Sequence, residues 1–356
     1  MIKRIIFIIV ISIFLLAYQK SKPMTVQERN VIDILTSKMQ TRCFGRYIVD
    51  LPRELKINGG IKIDDVQITS EQQDLRSFSA MLVRREFKLR ETKSWDKYPF
   101  LHKEGAGEPE NTRYFMSRER RDKSPNFRKI EAYKWDNGYT IKMEIDAWDY
   151  TYPDRTNDKI VQKIGIRNDA PAKLGRILGF LKRVRGRSED DIPTEPGVCF
   201  VGGFMKGIAE ERAETENVHI AYAILRNPDV LFSIATDTDI QEDTTVLQRS
   251  RVGGDLFRRF KVKTLRSGAV DLPDLPVEEW LTSVNTIHGT PGHFLTLEAN
   301  SQTGSIRSPF LMLNLMTGVS NIALETPPKS SSLSDNEVVA LWDAVTRTLR
   351  PRPNGF

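Results

Sequence analysis

The residues able to do chemistry are few. Four histidines, His102, His219, His288 and His293, and two cysteines, Cys43 and Cys199, are spread over 356 positions. Hydrolysis by a triad needs a histidine that reaches a nucleophile. No serine here is flanked by glycines as in a nucleophile elbow. His219 sits in an apolar run over 218–225, where a hydrogen-bonded structural role is expected. His288 and His293 bracket Gly289-Thr290-Pro291-Gly292 and would offer a metal two imidazoles, but a third ligand is not evident. Lys206-Gly207 follows Gly202-Gly203 in the wrong order to cradle phosphate, and no dinucleotide fingerprint is present. The expectation is no catalytic residue, no cofactor and no metal.

Carboxylates cluster at Asp237, Asp239, Glu242 and Asp243 without the glycine and terminal glutamate of a calcium loop. They read as a solvated acidic loop, or as an acidic contact patch for a basic partner. The opposing cluster, Arg118, Arg120, Arg121, Lys123, Arg128 and Lys129, is interspersed with Glu119 and Asp122. Nucleic-acid binding would need those cations on one face with stacking aromatics, and no nucleic-acid partner is expected. The two cysteines are too few for a disulfide scaffold or a four-cysteine zinc site. In an oxidising compartment they would be joined as a Cys43 to Cys199 bridge. Alternatively each is a small buried hydrophobe beside Phe44 and Phe200.

Lys3 and Arg4 precede an apolar run over 5–18, which Gln19, Lys20, Ser21, Lys22 and Pro23 close. A basic start, about fourteen apolar residues and a polar exit describe an export signal, short of the about 20 residues of a membrane span. We expect residues 1–22 to be a signal peptide or a retained inner-membrane anchor, and the rest to be periplasmic. Composition is ordinary for a globular chain at 39% hydrophobic and 28% charged. The formal charge of +6 is unevenly placed. Residues 1–22 hold four basic residues and no acid, residues 23–190 sum to +8, and residues 191–356 sum to −6.

The elements that must position these residues read as α+β. Val31, Ile32, Leu35 and Met39 recur at helical steps over 24–39. Alternation over 139–147, entered through Asn137-Gly138, predicts a hairpin. Further strands are expected over 78–83, 219–225, 294–299 and 310–316. Helices are expected after Asp169, with Leu174, Ile177, Leu178 and Leu181 on one stripe, and after Ser334, with Val338, Leu341, Trp342 and Val345.

The two stripes superpose at a constant offset of 164, and both helices run into basic tails, Val184-Arg185-Gly186-Arg187 and Leu349-Arg350-Pro351-Arg352. Cys43 and Cys199 each open a Cys-aromatic segment, at an offset of 156. An internal duplication follows: two similar domains, 23–190 and 191–356, each an antiparallel sheet with flanking helices, joined through acidic, proline-bearing residues 188–196.

The segment Thr41-Arg42-Cys43-Phe44-Gly45-Arg46-Tyr47-Ile48-Val49-Asp50-Leu51-Pro52, the segment from Gly197 to Phe204 and the stretch Lys263-Thr264-Leu265-Arg266 resemble immunity proteins that bacteria carry against type VI secretion lipase effectors. The similarity covers nearly the whole chain after residue 22. Membership would imply a two-domain periplasmic protein that binds a cognate phospholipase effector and blocks it by clasping it between the domains, with no catalytic residues of its own. Some relatives would carry a lipidated cysteine where this chain has Tyr18. The rival readings are an exported envelope enzyme of unrecognised type and a structural envelope protein.

Overall fold

The computed structural model describes residues 23–150, 168–209, 214–300, 302–326 and 328–356. The expected export segment lies outside them, and among the described residues no helix is long and apolar enough to cross a membrane.

Helix α1 (Val26–Thr36) starts at Thr25, whose hydroxyl accepts from the Glu28 N–H while the Glu28 carboxylate accepts from the Thr25 N–H. Strands β1 (Met39–Phe44) and β2 (Tyr47–Pro52) form a hairpin, followed by β3 (Leu55–Ile63) and β4 (Val66–Gln72). The strand expected over 78–83 is instead part of a helix, α2 (Leu75–Glu91). Six apolar and small residues were too short a window to show period. Over the longer stretch Phe78, Met81, Leu82 and Leu89 fall on one helical face, and Asp74 caps the start by accepting from the Ser77 N–H.

Strands β5 (Leu101–Ala106), β6 (Thr112–Arg118), β7 (Phe127–Asp136) and β8 (Tyr139–Trp148) form an antiparallel meander. Its last turn has Asn137 and Gly138 at φ 49° and 82°, the left-handed pair that a tight hairpin requires. Helix α3 (Ala170–Arg183), with Pro171 in its first turn, and the short strand β9 (Val184–Gly186) close the first half.

The second half repeats the plan. It has a hairpin, β10 (Gly197–Phe200) and β11 (Gly203–Lys206), two strands, β12 (Glu216–Ile224) and β13 (Leu231–Asp237), and two short helices, α4 (Val246–Ser250) and α5 (Gly254–Arg259). A second meander comprises β14 (Lys263–Leu272), β15 (Leu275–Asn285), β16 (Pro291–Ala299) and β17 (Phe310–Thr317). Helix α6 (Asp335–Thr346), started by a Ser334–Glu337 capping box, and β18 (Arg350–Pro351) complete it.

Twelve of the strands form one sheet in the order β14-β15-β16-β17-β13-β12-β3-β4-β8-β7-β6-β5, with antiparallel pairing throughout. Counted outward from the middle, each half runs first, second, sixth, fifth, fourth, third among its own six strands. The halves meet where equivalent strands pair antiparallel, Gly59 opposite Ile220, as a local two-fold would place them. The short closing strands are exchanged: β18 pairs with β2, and β9 pairs with β11. Each half's tail therefore completes the other half's hairpin.

One face of the sheet carries the main core. Ile61, Ile141 and Met143 from the first half, and Ile220, Leu313 and Leu315 from the second, bury against α3 and α6. Helix α1 packs beside α6, so the first and last helices of the chain are neighbours. The opposite face in the first half has a small core of its own, where α2 covers Phe115 and Tyr133 with Phe78 and Leu89.

Candidate partner interface

Cys43 and Cys199 are joined by a disulfide, with their Cα atoms 5.7 Å apart, in a fully buried cluster with Ile48 and Phe204. The four acidic residues run from the end of β13 into the loop before α4. The Asp237 carboxylate accepts from the N–H groups of Asp239 and Ile240, and Glu242 accepts from the Thr244 N–H and hydroxyl. Those hydrogen bonds to Thr244 hold the Glu242 carboxyl below its ordinary range. Both groups build the turn that leads into α4, which leaves Asp239 and Asp243 exposed.

The histidines are dispersed. His293 is buried, with Nδ1 2.7 Å from the Thr317 hydroxyl and Nε2 3.0 Å from Asp335. The hydroxyl in this trio belongs to a fully buried threonine, closed to any substrate. His219 Nε2 lies 3.0 Å from the Ser233 hydroxyl, and His288 is exposed. His102 lies 3.1 Å from Asp149, and burial, followed by the charge of Arg128, pushes its imidazole below the ordinary value. Among the described residues no group of three or more His, Cys, Asp or Glu is placed to hold a metal ion.

Charge is concentrated instead where the halves join. Arg46, in the turn between β1 and β2, donates from Nε and Nη2 to the Glu216 carboxylate at 3.0 and 2.6 Å, and from Nη1 to the Gly207 and Gly355 carbonyls. Both side chains are buried, and burial pushes the Glu216 carboxyl upward against the pull of Arg46. The two basic tails noted in the sequence each bury one arginine. Arg187 donates to the carbonyls of Ser188, Asp191 and Gly203, and Arg352 to those of Pro193, Glu195 and Gly197.

These two arginines are equivalent in their backbone pairing as well. The Arg187 N–H donates to the Gly202 carbonyl, and the Arg352 N–H to the Arg46 carbonyl, one in each hairpin turn. Burial, with the charges of Arg46 and Arg187 adding, brings Arg352 down to about 10. The joint at 188–196 is thus pinned by buried guanidinium groups. Asp190 also takes a 2.9 Å ion pair from Arg42, and Asp191 one of 2.8 Å from Arg185.

In each half the connection from the second strand to the third carries large exposed apolar side chains: Val83, Phe87 and Trp95 on and after α2, and Val252 and Leu256 around α5. Beside α5 an apolar groove of about 580 Å³ is floored by Trp280, Phe294 and Met316 and walled by Leu256, Phe260 and Ile287. Sequence reading missed it. Its residues come from four separate stretches, and each alone looks like a strand end or a short loop.

The fold defines a two-unit α+β protein with large apolar side chains exposed on each unit. The N-terminal domain family of Tle cognate immunity protein 4 matches residues 40–187, and the C-terminal domain family of the same protein matches residues 191–354. The chain belongs to the Tle cognate immunity protein 4 family. The fold is that of the crystal structure of the Tle4–Tli4 complex, with a TM-score of 0.71 and 21% identity over 90% of this chain and 99% of that one. It is likewise that of the apo immunity protein TplEi of the type VI secretion system of Pseudomonas aeruginosa, at a TM-score of 0.68 and 21% identity over 89% and 98%. TplEi complexed with "L" peptide aligns at 0.63 and 20% identity, over 89% and 99%. No curated protein sequence matches the chain.

Proposed function

We propose that this chain is an exported immunity protein that binds a cognate type VI secreted phospholipase and blocks it sterically, held between its two halves, without catalysis of its own. The observation that carries the reading is the pair of family matches, N-terminal domain then C-terminal domain, which together span 40–187 and 191–354. The basic start and apolar run of residues 1–22 support export to the periplasm, as a cleaved signal or a retained anchor.

Mechanism follows from rigidity and shape. A disulfide, the exchanged strands and the Arg46–Glu216 pair fasten the halves, so their outer surfaces meet a partner in a preset relation and lose little freedom on binding. Opposite net charges, +8 over 23–190 and −6 over 191–356, would orient an unevenly charged partner and speed encounter. Covering the mouth of a lipase would keep it from opening at a membrane surface. The test is to mix the chain with a candidate cognate type VI phospholipase and resolve the mixture by size. A stable complex is expected, and two separate peaks at micromolar concentration would overturn the reading.

A further inference from the structure

The two halves allow an internal comparison on the face of the sheet away from the main core. In the first half α2 crosses that face for 17 residues, anchored by Arg85, which donates to the buried Glu131 at 2.9 and 2.7 Å. In the second half Arg249, in α4, donates to the buried Glu298 at 2.5 and 2.6 Å, so the same anchor is present. The cover is not. Arg251-Val252-Gly253 interrupts the helix, and α5 resumes for only 6 residues, none of them buried. Phe294, on the uncovered face, is 36% exposed. The apolar groove lies here, and Leu256 and Ile287 on its wall are 60% and 83% exposed.

The stretch beside the groove is basic although the second half as a whole is acidic: residues 249–263 hold Arg249, Arg251, Arg258, Arg259, Lys261 and Lys263 against a single acid, Asp255. Arg249 is taken by Glu298, Arg258 by Asp255 and Lys263 by Asp335, so the cations offered to a partner are Arg251, Arg259 and Lys261, the last two flanking the groove residues Phe260 and Val262. We infer that this groove receives an amphipathic helix of the bound effector, with acidic residues flanking its apolar stripe, in the place that α2 fills in the other half. This rests on the function proposed above. An apolar groove with Arg259 and Lys261 beside it selects for an apolar stripe next to carboxylates, and the shortness of α5 leaves the face open.

The test uses the full chain and the type VI phospholipase with which it forms a complex. Both native cysteines are in the disulfide, so Ile287→Cys adds one reactive thiol, to which a benzophenone maleimide is attached. Irradiation of the complex is expected to crosslink a single helical segment of the lipase whose apolar stripe is flanked by Asp or Glu. Leu256→Asp and Ile287→Asp should each weaken the complex by about tenfold or more, as loss of a buried anchor does, with the melting temperature unchanged. Arg259→Glu with Lys261→Glu should weaken it and reduce its dependence on salt.

Crosslinks to a loop, or no crosslink from a complex that still forms, would overturn the inference. So would unchanged affinity in the aspartate variants, or variants that lose binding to phosphatidylglycerol vesicles while holding the lipase as before. Failure of the unmodified chain to bind the lipase would instead overturn the proposed function.

Discussion

Gly45 and Cys199 exchange two backbone hydrogen bonds, at 2.8 and 2.7 Å, and so fasten the opening hairpin of one half to the opening hairpin of the other. The disulfide from Cys43 lies beside this contact and closes a loop of 156 residues. Gly45 has φ +52°, and a Cβ there would sit 2.9 Å from the Thr236 hydroxyl, so the close approach depends on glycine.

Removing the bridge should therefore cost stability without changing the fold. Cys43→Ala with Cys199→Ala is expected to lower the unfolding free energy by roughly 2–5 kcal/mol, the range for a long closed loop. Urea denaturation of the two proteins under non-reducing conditions measures the difference. Equal midpoints would show that the exchanged strands alone hold the joint.

The Arg46–Glu216 pair should behave as a buried ion pair. Arg46→Ala leaves an uncompensated carboxylate in the joint and removes the donor to the Gly355 carbonyl, at a cost of about 3–5 kcal/mol. The double variant Arg46→Met, Glu216→Leu removes both charges and should recover a large part of that loss. A double-mutant cycle by chemical denaturation checks this, and additive losses would contradict it.

Glu28 gives a pH dependence. Its carboxyl accepts from the Thr25 N–H, the Ser334 hydroxyl and the Asn336 amide, and so ties α1 to the start of α6. These hydrogen bonds, that to the Thr25 backbone foremost, lower it from 4.5 to about 2. A lowered carboxyl stabilises the fold fully above its unfolded value and loses that contribution as pH falls through its folded value. The gap in thermal midpoint between the parent and Glu28→Gln should be present at pH 6, shrink below about pH 4 and close near pH 2. A gap that widens with acid would contradict the assignment.

Much of the architecture was legible from local signals. The Asn137-Gly138 turn, the Ser334–Glu337 box and the stripe of Leu174, Ile177 and Leu181 depend on near neighbours and appear where sequence places them. The offsets of 156 and 164 pointed to two similar units, and the two halves share one strand order. The exchange of β9 and β18 was not legible, because strands of three and two residues find their partners through tails whose paths are set by packing elsewhere. Helix α2 was misread as strand from too short a window. The backbone N–H groups from which Asp237 and Glu242 accept are invisible in a charge pattern. The groove needed the comparison of two halves in space.

The central claim is inhibition of a phospholipase by binding. The most direct measurement is phospholipid hydrolysis by the cognate type VI phospholipase, titrated with the purified chain. Hydrolysis is expected to fall linearly to near zero at one equivalent, with the chain recovered intact. Hydrolysis undiminished at a large excess of the chain would contradict the account.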